Sequence, residues 1–168
     1  MLGFVISETP GQAETLLRQV AQALCASGVA VTGATQRTDR DTKDARQKMV
    51  LSVLPAGPDI TISQDLGALA TGCSLDPDGL EQAAGLIAAS LDHAPQILLL
   101  NKFGKQEAEG AGFRAVIGQA LAQDIPVLIG VGREKLPLFQ EFAGDLAEEL
   151  QKDEATLLRW CQAHISAG

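Results

Sequence analysis

The chain has 168 residues, 46% of them hydrophobic, and a formal net charge of −8 at pH 7. That length and apolar content suit a single domain spanning 1–168 with a full-sized core. The acidic balance argues against general nucleic-acid binding, which needs a basic face against phosphates, and against attachment to anionic lipid.

Leu2 to Ile6 predicts a first strand. No basic segment precedes it and a polar turn, Ser7-Glu8-Thr9-Pro10-Gly11, follows at once, so it does not read as a signal peptide. No apolar run approaches the roughly 20 residues of a membrane span. Cytoplasmic residence without membrane insertion is the expectation. A helix should follow to about Ser27, with Leu17, Val20 and Leu24 on one face and Gly28 as its stop. Val29 to Gly33 predicts a second strand. The stretch from Gln36 to Lys48 then holds five of the thirteen basic residues (Arg37, Arg40, Lys43, Arg46 and Lys48), interleaved with Asp39, Asp41 and Asp44. Mixed-sign runs of this kind are usually solvated faces or loops, with an anion or protein contact as the rival reading.

Met49 to Leu54 and Asp59 to Ser63, joined by Pro55-Ala56-Gly57-Pro58, predict a β-hairpin. A loop from Asp65 leads to a helix that starts near Pro77 and runs to about Asp92. Gln96 to Leu100 is apolar on both faces, which predicts the central strand of a parallel sheet. After a polar loop come a helix from Gly112 to Gln123 and another buried strand from Pro126 to Val131. The tail predicts a short helix around Phe139 to Phe142, an edge strand near Leu146 to Leu150, and a last helix from Asp153 to Ile165. Buried strands alternating with amphipathic helices imply an α/β fold: three layers, with a doubly wound, mostly parallel sheet and a β-hairpin insertion. Ligands in such sheets bind beyond the carboxyl ends of the strands, where residues 7–13, 65–76 and 101–110 are the candidate loops.

The first loop stands where a phosphate-binding G-x-P-G-x-G-K-T turn would lie, between strand and helix. Pro10, Gly11 and Thr15 fit that pattern; Glu8 and Ala13 replace two glycines, and Glu14 replaces the lysine. An anion in place of the cation would repel a phosphate at contact. The backbone from Gly11 through Gln12 and Ala13 to Thr15 can still offer amides to an anion at the helix N-terminus, with Pro10 setting the turn before them. An ordinary tight turn with an acidic first helical turn is the competing account.

The third loop reads Asn101-Lys102-Phe103-Gly104-Lys105-Gln106-Glu107-Ala108-Glu109-Gly110. In P-loop enzymes the end of this strand carries a magnesium-binding acid. Asn101 supplies no charge and Lys102 would repel a metal, which leaves Glu107 and Glu109 as acids. Lys102 or Lys105 can stand in for the missing P-loop cation. With Glu14 at the expected lysine and Lys102 near the expected acids, the two loops close on a salt bridge or form a rebuilt site. In the middle loop, Cys73 beside Ser74 and Asp76 is a nucleophile or soft ligand in one reading and a structural thiol in the other. Cys25, Cys73 and Cys161 are odd in number and widely spaced, which suits neither a disulfide framework nor a zinc site. Cys25 and Cys161 fall on helical patterns and read as small buried hydrophobes. His93 and His164 have no partner at metal-ligand spacing.

The run Asn101 to Gly110, continued through Gly112 and Arg114 and preceded by Gly72-Cys73-Ser74-Leu75-Asp76, resembles the bacterial family termed domain of unknown function 2478. It is more distantly similar to the small P-loop nucleoside triphosphatases first described from thermophiles, whose corresponding strand ends in Asp-Glu-Ile-Gly-Lys-x-Glu. Against that motif the chain keeps Gly104, Lys105 and Glu107 and loses both leading acids. The resemblance implies a P-loop-like fold and a link to molybdate transport or molybdoenzymes. The expected function is binding of a nucleotide, phosphate or other small oxyanion, with little hydrolysis. The site would be drawn from Pro10, Gly11, Gln12, Ala13, Thr15, Asn101, Lys102, Gly104, Lys105, Glu107 and Arg114, with Cys73 nearby. The rivals are an active triphosphatase or phosphotransferase taking a nucleotide with magnesium, in which Glu107 handles the metal, and an adaptor that binds a protein partner.

Overall fold

Strands that are apolar on both faces must be covered twice, and the chain supplies a helix after most of them. In the computed structural model, which describes residues 1–40, 47–64 and 75–165, the strands are β1 (Leu2–Ser7), β2 (Val31–Arg40), β3 (Gln47–Leu54), β4 (Asp59–Thr61), β5 (Ile97–Phe103), β6 (Val127–Gly132) and β7 (Ala147–Glu149). The helices are α1 (Gln12–Ala26), α2 (Pro77–Ser90), α3 (Lys105–Ala108), α4 (Arg114–Ala122), α5 (Leu136–Ala143) and α6 (Glu154–His164). All seven strands join one sheet in the order β4-β3-β2-β5-β6-β1-β7. The pairings among β2, β5, β6, β1 and β7 are parallel, and the β2–β3 and β3–β4 pairings are antiparallel.

The three layers follow from the alternation of side chains along these strands. On one face Phe4, Leu98, Leu100 and Ile129 pack against α2, α4 and α5. On the other, Val5, Leu99 and Leu128 pack against Leu17, Val20 and Leu24 of α1 and against Leu157 and Trp160 of α6. β5 is central, as its doubly apolar pattern predicts, and Ile97 to Leu100 have no exposed surface. β7 takes the predicted edge position beside β1. Gly28 ends α1 with a positive φ of 82°, and Asp76 opens α2 by accepting from the Asp78 amide at 3.0 Å. Burial pushes the Cys161 thiol up to about 12 and the Cys25 thiol upward as well, which suits the apolar role expected of both.

The sequence reading placed two boundaries too early. β2 does not stop at Gly33 but continues to Arg40, pairing with β3 from Gly33↔Leu54 to Arg40↔Gln47. The flanks of the charged stretch are therefore strand, and its residues 41–46 lie outside the described residues. Charges are tolerated there because an antiparallel ribbon keeps one solvated face. Arg37 uses that face: it contacts Asp39 at 3.1 Å, Ser52 at 3.1 Å and Asp59 at 2.9 Å, tying three strands together. The predicted hairpin around Pro55 to Pro58 is thus the second half of a three-stranded meander. Likewise Asn101, Lys102 and Phe103 are the last residues of β5 rather than a loop. The middle loop, with Cys73, lies largely outside the described residues; near its end Leu75 forms a bridge with Ser63.

Gly33 is fixed by its neighbour. Its φ is 131°, and an added Cβ would stand 1.8 Å from the Leu99 carbonyl oxygen across the β2–β5 pairing. Backbone cannot retreat as a side-chain tip can. Gly33→Ala should therefore destabilise the fold by about 3 kcal/mol, read as a fall in the urea midpoint at unchanged slope.

Candidate functional site

The site begins with an irregularity at the end of β5. Between Leu100 and Phe103 its pairing with β6 shifts register, and Gly130 lies opposite. A Cβ on Gly130 would stand 2.5 Å from the Asn101 carbonyl oxygen, so glycine permits the close approach that the bulge needs. Asn101 is left 4% exposed, and Lys102 turns to solvent. The Asn101 side chain donates through Nδ2 to Gln36 Oε1 at 2.9 Å. Its Oδ1 is buried without a hydrogen-bond partner. Asn101 and Lys102 together form the wall between two clefts.

The first cleft, about 80 Å³, lies beside the turn after β1 and is lined by Pro10, Ala13 and Glu14 with Asn101, Lys102 and Gly130. Gly11 enters α1 at φ 86°, and no side chain caps that helix end. An uncapped N-terminus favours an anion, but Glu14 already occupies the first turn with its own charge. Glu8 and Glu134 add two more carboxylates to the lining, and Lys102 is the cation facing them. Glu8 is held by Arg133, whose Nε donates at 2.6 Å while a second nitrogen donates to the other carboxylate oxygen. That guanidinium holds the Glu8 carboxyl below its ordinary 4.5. Glu14 Oε2, like Asn101 Oδ1, is buried and unpartnered.

The second cleft is larger, about 180 Å³, and opposite in character. Lys102, Lys105 and Lys135 line it over an apolar wall that includes Leu51, Ile62 and Phe113. Glu107 belongs to the same lining but is 3% exposed and committed to backbone. Its Oε2 accepts from the Gly104 amide at 2.9 Å and its Oε1 from the Phe113 amide at 3.0 Å. It is the cap of α3 and the clasp to α4. Lys105 lies 3.8 Å from Glu109, an exposed pair one helical turn away that holds it weakly.

Of the residues expected from the sequence, Pro10, Ala13, Asn101, Lys102, Gly104, Lys105 and Glu107 line one or both clefts. Gly11, Gln12 and Thr15 do not, and all three are exposed. Arg114 lines neither cleft. Its guanidinium donates to the carbonyls of Glu107 and Ala108 at 3.3 and 3.4 Å and lies 4.9 Å over the Phe142 ring. Glu14 and Lys102 share the first cleft without an ion pair within 4.0 Å among the described residues. The sequence reading missed Lys135, Gln36 and the Glu8–Arg133 bridge. Lys135 and Arg133 follow the buried strand at Val131, so the rule that selected the other loops also covered this one. Gln36 was lost with the early end set for β2.

Three comparisons bear on this arrangement. The family model described as "Protein of unknown function (DUF2478)" matches residues 2–160. The curated "Molybdenum import ATP-binding protein ModC 2" of Bradyrhizobium diazoefficiens is 33% identical over 147 residues, which is 88% of this chain but 16% of that protein. A human protein solved as "Solution Structure of a Human Cancer-Related Nucleoside Triphosphatase" aligns with a TM-score of 0.66 at 19% identity, covering 95% of this chain and 94% of that one. The last of these shows the fold that this chain shares with that protein, an α/β architecture built here on a mostly parallel seven-stranded sheet. No helix among the described residues is long and apolar enough to cross a membrane.

Two predictions follow from the carboxylates. Glu107→Ala orphans two backbone amides in a buried setting and should cost on the order of 3 kcal/mol, measured by urea unfolding without any metal present. Glu8, whose folded pKa is depressed, stabilises the fold above its ordinary value of 4.5 and loses that contribution as pH falls through the lower folded value. The stability difference between wild type and Glu8→Gln should therefore be present at pH 7, shrink below about pH 4, and shrink with added salt at pH 7.

Proposed function

This chain belongs to the family described as "Protein of unknown function (DUF2478)", and we propose that it binds a nucleotide or similar compact phosphate-type anion without hydrolysing it efficiently. The observation that carries this reading is the second cleft, where Lys102, Lys105 and Lys135 converge over apolar side chains at the end of the central strand. Lysines supply charge and donors to phosphate oxygens, while Leu51, Ile62 and Phe113 suit a flat apolar portion of the same ligand. The cleft lies beyond the carboxyl ends of the parallel strands, where α/β sheets collect ligands. At about 180 Å³ it would enclose only part of a nucleotide, since pockets that engulf drug-sized ligands start near ~300 Å³.

Weak hydrolysis follows from the groups that replace the reacting machinery. Phosphoryl transfer relies on a cation cradling the terminal phosphates and an acid holding magnesium. Glu14 stands at the first position and Asn101 at the second, while both oxygens of Glu107 are already engaged. The first cleft faces a phosphate with three carboxylates, so the anion is assigned to the lysine side of the shared wall. The names of the relatives, an ATP-binding import protein and a nucleoside triphosphatase, support a phosphate-bearing ligand.

The test is a thermal shift with ATP, GTP and inorganic phosphate. A ligand at one hundred times its Kd adds about 2.7 kcal/mol, which for a chain of this size raises Tm by roughly 5–10 °C. The combined variant Lys102→Ala, Lys105→Ala, Lys135→Ala should remove that shift while leaving the unliganded Tm within a few degrees. Phosphate release from ATP or GTP with magnesium should stay at background. Absence of any shift at millimolar ligand would sink the proposal.

A further inference from the structure

The second cleft offers a phosphate-bearing ligand point charges and apolar surface, and the two differ in what they can select. Lys102 and Lys105 are exposed and Lys135 is half-buried, so water and salt screen much of their attraction. The Gly104 and Phe113 amides, which could have reached an anion, are bonded to Glu107. The Gly112 amide is taken by Glu81 Oε1 at 2.7 Å. α3 is a single turn of four residues, too short to add the field of a longer helix end. The apolar lining is better placed to discriminate: besides Leu51, Ile62 and Phe113 it includes Met49 and Leu75, which are only half-buried and leave surface for a ligand to cover. Inorganic phosphate uses none of that surface. A triphosphate gains little from its length, because at about 180 Å³ the cleft holds only part of a nucleotide. Beyond the wall of Asn101 and Lys102 stand the carboxylates of Glu8, Glu14 and Glu134. Phosphates that leave the cleft therefore pass into solvent or toward like charge.

We infer that the second cleft takes a phosphate monoester with a flat apolar body, its ring against Met49 and Leu75 and its phosphate among the lysines, in preference to inorganic phosphate and without benefit from further phosphates. That preference rests on the anion-binding reading above and gives it a ligand class. Two sources carry the chemistry, nucleoside monophosphates and smaller aryl phosphates. Covering about 100 Å² of aromatic surface separates such an ester from inorganic phosphate, or from a sugar phosphate, by roughly thirtyfold to a hundredfold in affinity.

Titration calorimetry of the whole chain at pH 7 and constant ionic strength decides it, with adenosine and guanosine monophosphates, phenyl phosphate, ribose 5-phosphate, inorganic phosphate and ATP as probes. The best aromatic monoester should bind at least about tenfold more tightly than ribose 5-phosphate and inorganic phosphate. ATP should bind no more than about threefold more tightly than that monoester, its outer phosphates being screened by salt. Tight binding that includes a nucleoside monophosphate assigns the nucleotide; tight binding of phenyl phosphate alone assigns the smaller ester. A ranking without the tenfold gap, or ATP above its limit, overturns the preference while leaving the anion site standing. Binding of none overturns the anion-binding reading itself. Met49→Gln and Leu75→Gln should each weaken the best monoester about fivefold and leave ribose 5-phosphate unchanged; full ester affinity in both variants overturns the placement of the ring. If either variant does not fold, the wild-type ranking still decides the question.

Discussion

The close approach of β5 to β6 at Gly130 governs the geometry of the site. A side chain at Gly130 would collide with the Asn101 carbonyl, and the register shift between Leu100 and Phe103 depends on that space. From the shift follow a buried Asn101, an exposed Lys102, and a wall that two clefts share. Parallel strands gather their loops at one end of the sheet, but a regular β5 would alternate its side chains without this offset. The bulge re-aims them where ligands collect.

Charge is divided across that wall. Carboxylates from Glu8, Glu14 and Glu134 surround the turn after β1, and lysines from three different segments meet on the other side. An overall charge of −8 would repel a diffusing phosphate, so the attraction required by the proposed function is local and short-ranged, within the screening length of ~8–10 Å at ordinary salt. The inversion at Glu14 and Lys102 is thus part of a wider arrangement rather than an exchange between two residues. Arg133 contributes by pairing with Glu8, one of the carboxylates that line the acidic cleft.

Periodicity carried most of the fold. Helices showed in the spacing of Leu17, Val20 and Leu24, and the centre of the sheet in the unbroken run Ile97 to Leu100. What stayed hidden was strand continuation through charge. Gln36 to Arg40 has no apolar alternation to announce a strand, because its stability comes from pairing with β3 and from Arg37 reaching Asp59, a residue far along the chain. The site was half legible for a related reason. Loops at strand ends could be found by rule, which captured Asn101, Lys102 and Lys105. The convergence of Lys135 and Gln36 on the same cleft is a property of the folded sheet, since residues far apart in sequence meet only after the strands are ordered. Arg114 shows the converse: its place in a motif suggested a ligand contact, and packing on Phe142 absorbed it.

The clasp formed by Glu107 bears on how the chain's likeness to triphosphatases should be read. A carboxylate that satisfies the Gly104 and Phe113 amides serves the fold whether or not the site reacts. A well-formed corner can thus account for a short signature without reference to turnover. Sequence searches keyed to Gly104, Lys105 and Glu107 would then collect proteins that share a corner of the backbone rather than a reaction. The residues at positions 14 and 101, where this chain carries Glu14 and Asn101 in place of a lysine and an acid, bear on the chemistry more directly.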